Sequence, residues 1–302
     1  MIRKHARRAV KAAFALALAI PIVLGGTANA KTTASPTITV GTKNFTEAYV
    51  LGQLYKQALE AKGFKVAYKE NLGSSEIADA ALTSGKINFY PEYTGVIALD
   101  LARAKPQKSA AQNYATAKAF EEKRGFTLLK QTPFFDADSF AVLKTTAAKY
   151  GLKTISDLKK VPNLSYGGYP ECKKRPTCLL GLKNTYGLKN IKFVQLGTIP
   201  VTTLIDSGKV TGGDIFTTEP AFATGKYVAL IDNKHIFGFQ NVAPVVSKSL
   251  VSSLGSKFTT TVNAVSAKLT NAAMIAMNKA VAVDKKTPAA VAKAFLQANG
   301  LA

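Results

Sequence analysis

The chain has 302 residues, 40 of them basic and 18 acidic, for a formal net charge of +22, with 47% hydrophobic residues, no tryptophan and two cysteines. This is the composition of an ordinary globular protein long enough for two domains of ~100 to 150 residues each. The lysines are spread mostly singly, with no basic run interleaved with aromatics and no nucleic-acid-binding motif, so the charge indicates solvated basic faces and speaks against a nucleic-acid partner.

Arg3, Lys4, Arg7, Arg8 and Lys11 precede the apolar run "AAFALALAIPIVL" and the small-residue stretch "TANA". That order is a secretory signal peptide with cleavage after Ala30. A membrane anchor is the alternative, but the run falls short of the ~20 residues a span needs and Pro21 interrupts it. No cysteine lies near the cleavage point, so no lipid anchor is indicated. The mature chain then has 302 minus 30, or 272, residues and a formal charge of 35 minus 18, or +17, because the signal holds five basic residues and no acid.

"TITVGT" predicts a strand, residues 46 to 62 a helix with Val50, Leu51, Leu54 and Ala58 along one face, and "FKVAYKE" a second strand. "SSEIADAALTSG" predicts a helix opened by Ser74 or Ser75 and closed by Gly85, and "KINFY" the strand after it. A second run of this kind starts near residue 164, with strand "LSYGG", a helix around 177 to 186, strand "IKFVQL", helix "PVTTLIDSG" and strand "GGDIF". The last third, from "FTTTVNAV" to "AAVAKAFLQANG", reads as helices that pack back on a sheet. Repeated strand-helix order implies α/β architecture with parallel sheets covered on both faces.

The two halves share a phrase. "ALTSGKINFYPEYTG" and "TLIDSGKVTGGDIFTTEP" each carry a helix ending in Ser-Gly-Lys, a strand, and then an aromatic followed by threonine and glutamate, which indicates two similar lobes. Open α/β sheets bind ligands beyond the carboxyl ends of their strands. Two facing lobes would line a cleft with "TKNF", "YPEYTG", "YGGYPEC" and "DIFTTEP".

Cys172 and Cys178, in "PECKKRPTC", form a disulfide in an exported protein, contributing roughly 2 kcal/mol for so small a loop. Zinc is the weaker reading, since the spacing is wrong and no histidine is near. After signal removal His235 is the one histidine left, and nucleophile-elbow, phosphate-loop and dinucleotide motifs are missing. Glu92 and Glu219 have the chemistry of an acid and base, yet each also suits a helix N-terminus. The chain therefore reads as a binding protein, with no enzymatic activity and no cofactor or metal.

The binding groups are a point charge at Lys43, hydrogen-bonding groups at Asn44 and Thr94, and ring faces at Phe45, Tyr93 and Phe216. Rings attract a quaternary ammonium by ~0.5 to 2 kcal/mol per contact, and a lysine beside them would hold a carboxylate, as a betaine requires. For Phe45 and Tyr90 simple packing in a core is the competing reading.

"VGTKNFTEAYVLGQLY", "ALTSGKINFYPEYTG" and "NVAPVV" at 241 to 246, in this order, closely resemble the substrate-binding proteins of osmoprotectant ABC importers, the glycine betaine, carnitine and choline class. The likeness covers nearly all of residues 37 to 302. It implies a type II periplasmic-binding-protein, or Venus flytrap, fold with two lobes and a hinge. The domains expected are the signal at 1–30, lobe 1 at 31–140 plus 241–302, and lobe 2 at 141–240, crossing near residues 140 and 240. It also implies an exported monomer, periplasmic or on the outer face of the cytoplasmic membrane, that delivers a quaternary amine to ABC permease subunits. Another small polar or cationic solute is one alternative, and a basic envelope-associated structural protein that binds anionic polymers is another.

By the resemblance Tyr93 matches a cage tyrosine and Lys43 a lysine that meets the ligand carboxylate. Phe140 and Phe216 fall where further cage tyrosines are frequent, and Gln240 where many members have a tyrosine. Thr217 belongs to the same cleft loop as Phe216. Ala48 and Val96 replace polar residues usual in the family, and Arg175, inside the cysteine loop, is the candidate to supply a missing polar contact; a solvent-facing role is its alternative.

Overall fold

The computed structural model describes residues 35–197 and 199–302. The signal peptide and cleavage point expected up to Ala30 lie outside the described residues. Strand β1 (Ile38–Gly41) buries Ile38 and Val40 completely. Helix α1 (Thr46–Ala61) buries Val50, Leu51, Leu54 and Ala58, the face its apolar spacing predicts. Strand β2 (Val66–Lys69), helix α2 (Ser75–Thr83), strand β3 (Phe89–Tyr93), helix α3 (Ala110–Lys123) and strand β4 (Phe126–Leu128) follow. The chain then builds β5 (Ala141–Leu143), α4 (Lys144–Tyr150), β6 (Ser165–Gly168), α5 (Leu179–Asn184), β7 (Lys192–Gln195), α6 (Val201–Asp206), β8 (Gly212–Gly213) and β9 (Tyr227–Ala229). It returns through β10 (Val242–Ser247) and ends in α7 (Lys248–Lys268), α8 (Asn271–Ala282) and α9 (Pro288–Ala298).

The strands form two sheets of one design, ordered β2-β1-β3-β10-β4 and β7-β6-β8-β5-β9. Position by position, β1 corresponds to β6, β2 to β7 and β3 to β8. The repeated Ser-Gly-Lys phrase falls on equivalent elements: α2 ends at Ser84 with Gly85 at φ +73°, and α6 ends at Ser207 with Gly208 at φ +70°. Both glycines take the left-handed conformation that closes a helix and that a Cβ disfavours.

The sheets are mixed, which corrects the parallel arrangement expected from strand-helix order. β10 lies antiparallel between β3 and β4, and β5 antiparallel between β8 and β9. The physical reason is connectivity: each of these strands follows a segment arriving from the other sheet rather than a crossover helix, so it runs the opposite way. The "KINFY" strand also sits later than expected, at Phe89–Tyr93. Pro91 is tolerated there because it faces Pro244. Cross-strand bonds fall to either side of that pair, from Thr94 N–H to the Asn241 carbonyl (2.9 Å) and from Ser247 N–H to the Asn88 carbonyl (3.0 Å).

The C-terminal helices do pack back on the first sheet. Phe258, Val262, Met274 and Leu296 share one core with Ile38, Phe89, Val242 and the buried face of α1. Ser247, Thr270 and Thr287 cap these helices by accepting the N–H groups of Leu250, Ala273 and Ala290, each cap contributing about 1 kcal/mol.

Two segments join the sheets. Phe135 bridges Asn241 antiparallel, and Asp136 N–H donates to the Gln240 carbonyl at 3.1 Å. The Asn241 amide donates to the carbonyls of Thr132 and Phe134, both at 3.1 Å, which fixes the crossing relative to the first sheet.

Candidate functional site

The loops after β1, β3, β6 and β8 line a cavity of about 480 Å³, within the range of small-molecule sites. Phe45 follows β1 and Tyr93 ends β3; their rings stack with centroids 6.3 Å apart at 21°. Tyr169 follows β6 and Phe216 follows β8; these rings stack at 6.3 Å and 29°. Each sheet thus contributes one ring pair from corresponding loops, and both pairs line the same cavity. Phe45 is 37% exposed, which decides between cavity wall and core, whereas Tyr90 is fully buried and belongs to the core.

Lys43 is buried beneath Tyr93. Its ammonium lies 4.2 Å from the Tyr93 ring centroid and 5.4 Å from that of Phe45. It forms an ion pair with Glu92 and donates to Ser75 Oγ at 3.2 Å. The cation expected to await a ligand carboxylate is therefore already neutralised, and it covers part of the Tyr93 π-surface. Tyr93 is held from its other end, where its hydroxyl donates to Glu47 Oε1 at 2.7 Å. Glu47 Oε2 accepts from Asn278 Nδ2 at 2.9 Å, linking α1 to α8.

Several expected site residues lie elsewhere. Asn44 is exposed and outside the cavity lining, because the turn points it to solvent. Thr94 is fully buried; its hydroxyl accepts from Asn113 Nδ2 at 3.0 Å and donates to the Phe239 carbonyl at 3.2 Å, so it braces the returning segment. Thr217 braces the outgoing one, bonding the Phe135 carbonyl (3.0 Å) and Ala137 N–H (3.1 Å) through its hydroxyl. Phe140 is 0% exposed and packs 4.7 Å from the Tyr166 ring, inside the second sheet's core. Ala48 is buried away from the cavity, and Val96 lines it. Gln240 also lines the cavity, lying so close to Gly95 that a Cβ there would come within 2.5 Å of its amide.

The disulfide joins Cys172 to Cys178 and closes a loop that carries Arg175 to the cavity rim. Arg175 is exposed, and its charge opposes the rise that burial imposes on the Asp100 carboxyl across the rim.

Sequence reasoning named Glu219 and missed the rest of the acidic floor. Among the described residues, Glu47, Asp100, Asp136, Asp138, Asp214 and Glu219 line the cavity, against two basic residues, Lys43 and Arg175. Burial pushes the carboxyls of Asp136 and Asp214 well up; Glu47 adds to the rise at Asp136, and Asp138, hydrogen-bonded to Asp214, adds to it there. Burial also raises Glu47. The "FDADSF" acids and Asp214 stand more than 70 residues apart, and only the pairing of β5 with β8 brings them together.

These carboxyls have a consequence for stability. Their unfolded values lie near 4, and the folded state keeps their protons to higher pH. Between the two values the folded chain binds more protons than the unfolded one, so their contribution is complete below the unfolded value and is lost as pH rises through the folded ones. The ligand-free protein should therefore melt at a falling temperature as pH rises above the ordinary carboxyl range, with a shallower fall in Asp214→Asn. Parallel wild-type and variant curves in a thermal-shift series would refute this.

The chain matches, over residues 36–298, the family described as the substrate binding domain of ABC-type glycine betaine transport system. It is 29% identical over 279 residues to the glycine-betaine-binding protein of Pseudomonas aeruginosa, covering 88% of each chain. To the carnitine transport binding protein OpuCC of Listeria monocytogenes it is 26% identical over 273 residues, covering 87% of each. Its fold matches a solved structure described as a glycine betaine/carnitine/choline ABC transporter with a TM-score of 0.79 at 24% identity, covering 87% of this chain and 99% of that one. The fold is thus the two-lobed α/β architecture of the periplasmic binding proteins. The chain belongs to the family of substrate-binding domains of ABC-type glycine betaine transport systems, and its part in transport is to bind a solute rather than to transform it.

Proposed function

We propose that this protein works outside the cytoplasmic membrane as a monomeric receptor that encloses a small quaternary amine and presents it to ABC permease subunits. Two stacked ring pairs on one cavity, from corresponding loops of two like sheets, carry this reading. A quaternary ammonium has no N–H to donate, so ring faces are the walls that attract it, at ~0.5 to 2 kcal/mol per contact. Lys43 already lies against Tyr93 and shares that ring's π-surface with any ligand. The lobe boundary expected at residue 140 moves back to the crossing, because Ala137 and Phe140 pack in the core of the second sheet, so the proposed lobes are 36–135 with 241–302, and 136–240. The crossing at Phe135 to Asp136 and Gln240 to Asn241 is the proposed hinge, since it is where the chain passes between sheets. The binding residues in this reading are Phe45, Tyr93, Tyr169, Phe216 and Gln240, with Arg175 at the rim.

Export through the N-terminal signal fits this role, and family membership sets aside a structural protein of the envelope. Calorimetry with choline and glycine betaine tests the site. Phe216→Ala and Tyr93→Ala should each weaken binding roughly two- to thirtyfold, the equivalent of one ring contact. Unchanged affinity in both variants would remove the cage from the account, and absence of any binding by wild type at millimolar concentration would remove the quaternary amine.

A further inference from the structure

The cavity is rich in acceptors that glycine betaine does not satisfy. Asn278 lines it and is only 6% exposed, yet its Oδ1 has no hydrogen-bond partner among the described residues. Its orientation is fixed, because Nδ2 donates to both Glu47 Oε2 (2.9 Å) and the Thr218 carbonyl (3.1 Å), and a flipped amide would lose both bonds. Gln240 Oε1, on the same cavity, is likewise buried without a partner. A buried acceptor left unmatched is costly, so a ligand that brings donors gains where one without them does not.

Charge points the same way. The lining has six acids and two basic residues, in a chain whose formal charge is +22. One of the two, Lys43, is consumed by Glu92, and the other, Arg175, stands exposed at the rim beside Asp100. The partners of Glu47, Asp136 and Asp214 include a tyrosine hydroxyl, amides and backbone N–H groups. Glycine betaine would bring a carboxylate into this surrounding and no N–H or O–H to give.

Resting on the proposed solute site, we infer that the cleft selects organic cations of net positive charge bearing N–H or O–H donors over zwitterionic betaines. Asn278, Gln240 and the acids Asp136, Asp138 and Asp214 determine that choice. The rings hold the alkylated ammonium, and the donor arm reaches the two amide oxygens. In glycine betaine, the group at that end of the molecule is an anion, which opposes ionisation of these buried acids, whereas a bound cation favours it.

Three probes separate charge from donors in titration calorimetry of the whole exported chain: glycine betaine (no net charge, no donor), tetramethylammonium (a cation, no donor) and choline (a cation with one O–H). Choline should bind tightest and glycine betaine weakest, with at least a tenfold gap between them. Gln240→Leu should narrow the gap between choline and tetramethylammonium; Asp214→Asn, or Asp138→Asn if the former does not fold, should narrow the gap between tetramethylammonium and glycine betaine. Glycine betaine binding as tightly as choline would overturn the inference while leaving the quaternary-amine site standing. Equal binding of choline and tetramethylammonium would overturn the donor requirement, and failure of all three probes to bind would overturn both readings.

Discussion

Lys43→Met should destabilise the protein by about 3 to 5 kcal/mol in urea unfolding, the range for removing one partner of a buried ion pair. Glu92 is 0% exposed, and Lys43 is its ion-pair partner. Its Oε1 also accepts Tyr93 N–H at 2.8 Å, but Oε2 has no partner among the described residues, so one backbone bond would have to offset a buried negative charge. The double variant Lys43→Met/Glu92→Leu should recover much of the loss, because both charges leave together. A single variant costing under about 1 kcal/mol would mean that water reaches Glu92 and that the pair is not buried in solution.

This pair changes what the "TKNF" turn does. A lysine beside an aromatic at a strand end has the chemistry of a carboxylate clamp, and from the sequence alone that role is the natural one. Glu92 lies 49 residues further on, one residue before the end of β3, and that strand brings its carboxylate to the Lys43 ammonium. Lys43 then becomes a support: it links the loop after β1 to β3 and rests against the Tyr93 ring. Loss of ligand affinity in a Lys43 variant would reflect a displaced tyrosine as much as a lost charge.

The same contrast explains how much of the molecule was legible. β1, the apolar face of α1 and the Ser-Gly-Lys helix ends are written in local pattern, since a strand's burial, a helix's period and a left-handed glycine each depend on a few neighbours. Phe45, Tyr93 and Phe216 were legible because they flank strand ends in recognisable phrases. Tyr169 was not named, although "YGGYPEC" was; its role emerges once β6 is seen to correspond to β1, which makes its loop the counterpart of the one carrying Phe45. Apart from Glu219, the acidic floor was out of reach, because in one dimension Asp136, Asp138 and Asp214 look like scattered surface charges. Thr94 and Thr217 were misplaced for a related reason: a hydroxyl in a cleft loop can face the ligand or the backbone beneath it, and both brace the crossing segments.

Phe140→Ala should cost about 3 to 5 kcal/mol of stability, the range for emptying a buried aromatic site, and should leave choline affinity per folded molecule within about twofold of wild type. The ring lies immediately before β5, 4.7 Å from Tyr166 and fully enclosed. β8 admits it by being glycine, since a Cβ on Gly212 would approach the Phe140 ring to 2.5 Å. Tyr166 in turn donates its hydroxyl to the Ser139 carbonyl at 3.0 Å, and burial, with nearby Asp214 adding, pushes that phenol far up, so it stays a neutral donor. The ring therefore fills the space behind the acids without reaching the cavity, and a void there should loosen the second sheet as a whole. Thermal unfolding and calorimetry on the same preparation separate the outcomes. Wild-type stability with strongly weakened binding would place Phe140 in the cage after all; lowered stability with binding retained would leave the cage to Phe45, Tyr93, Tyr169 and Phe216.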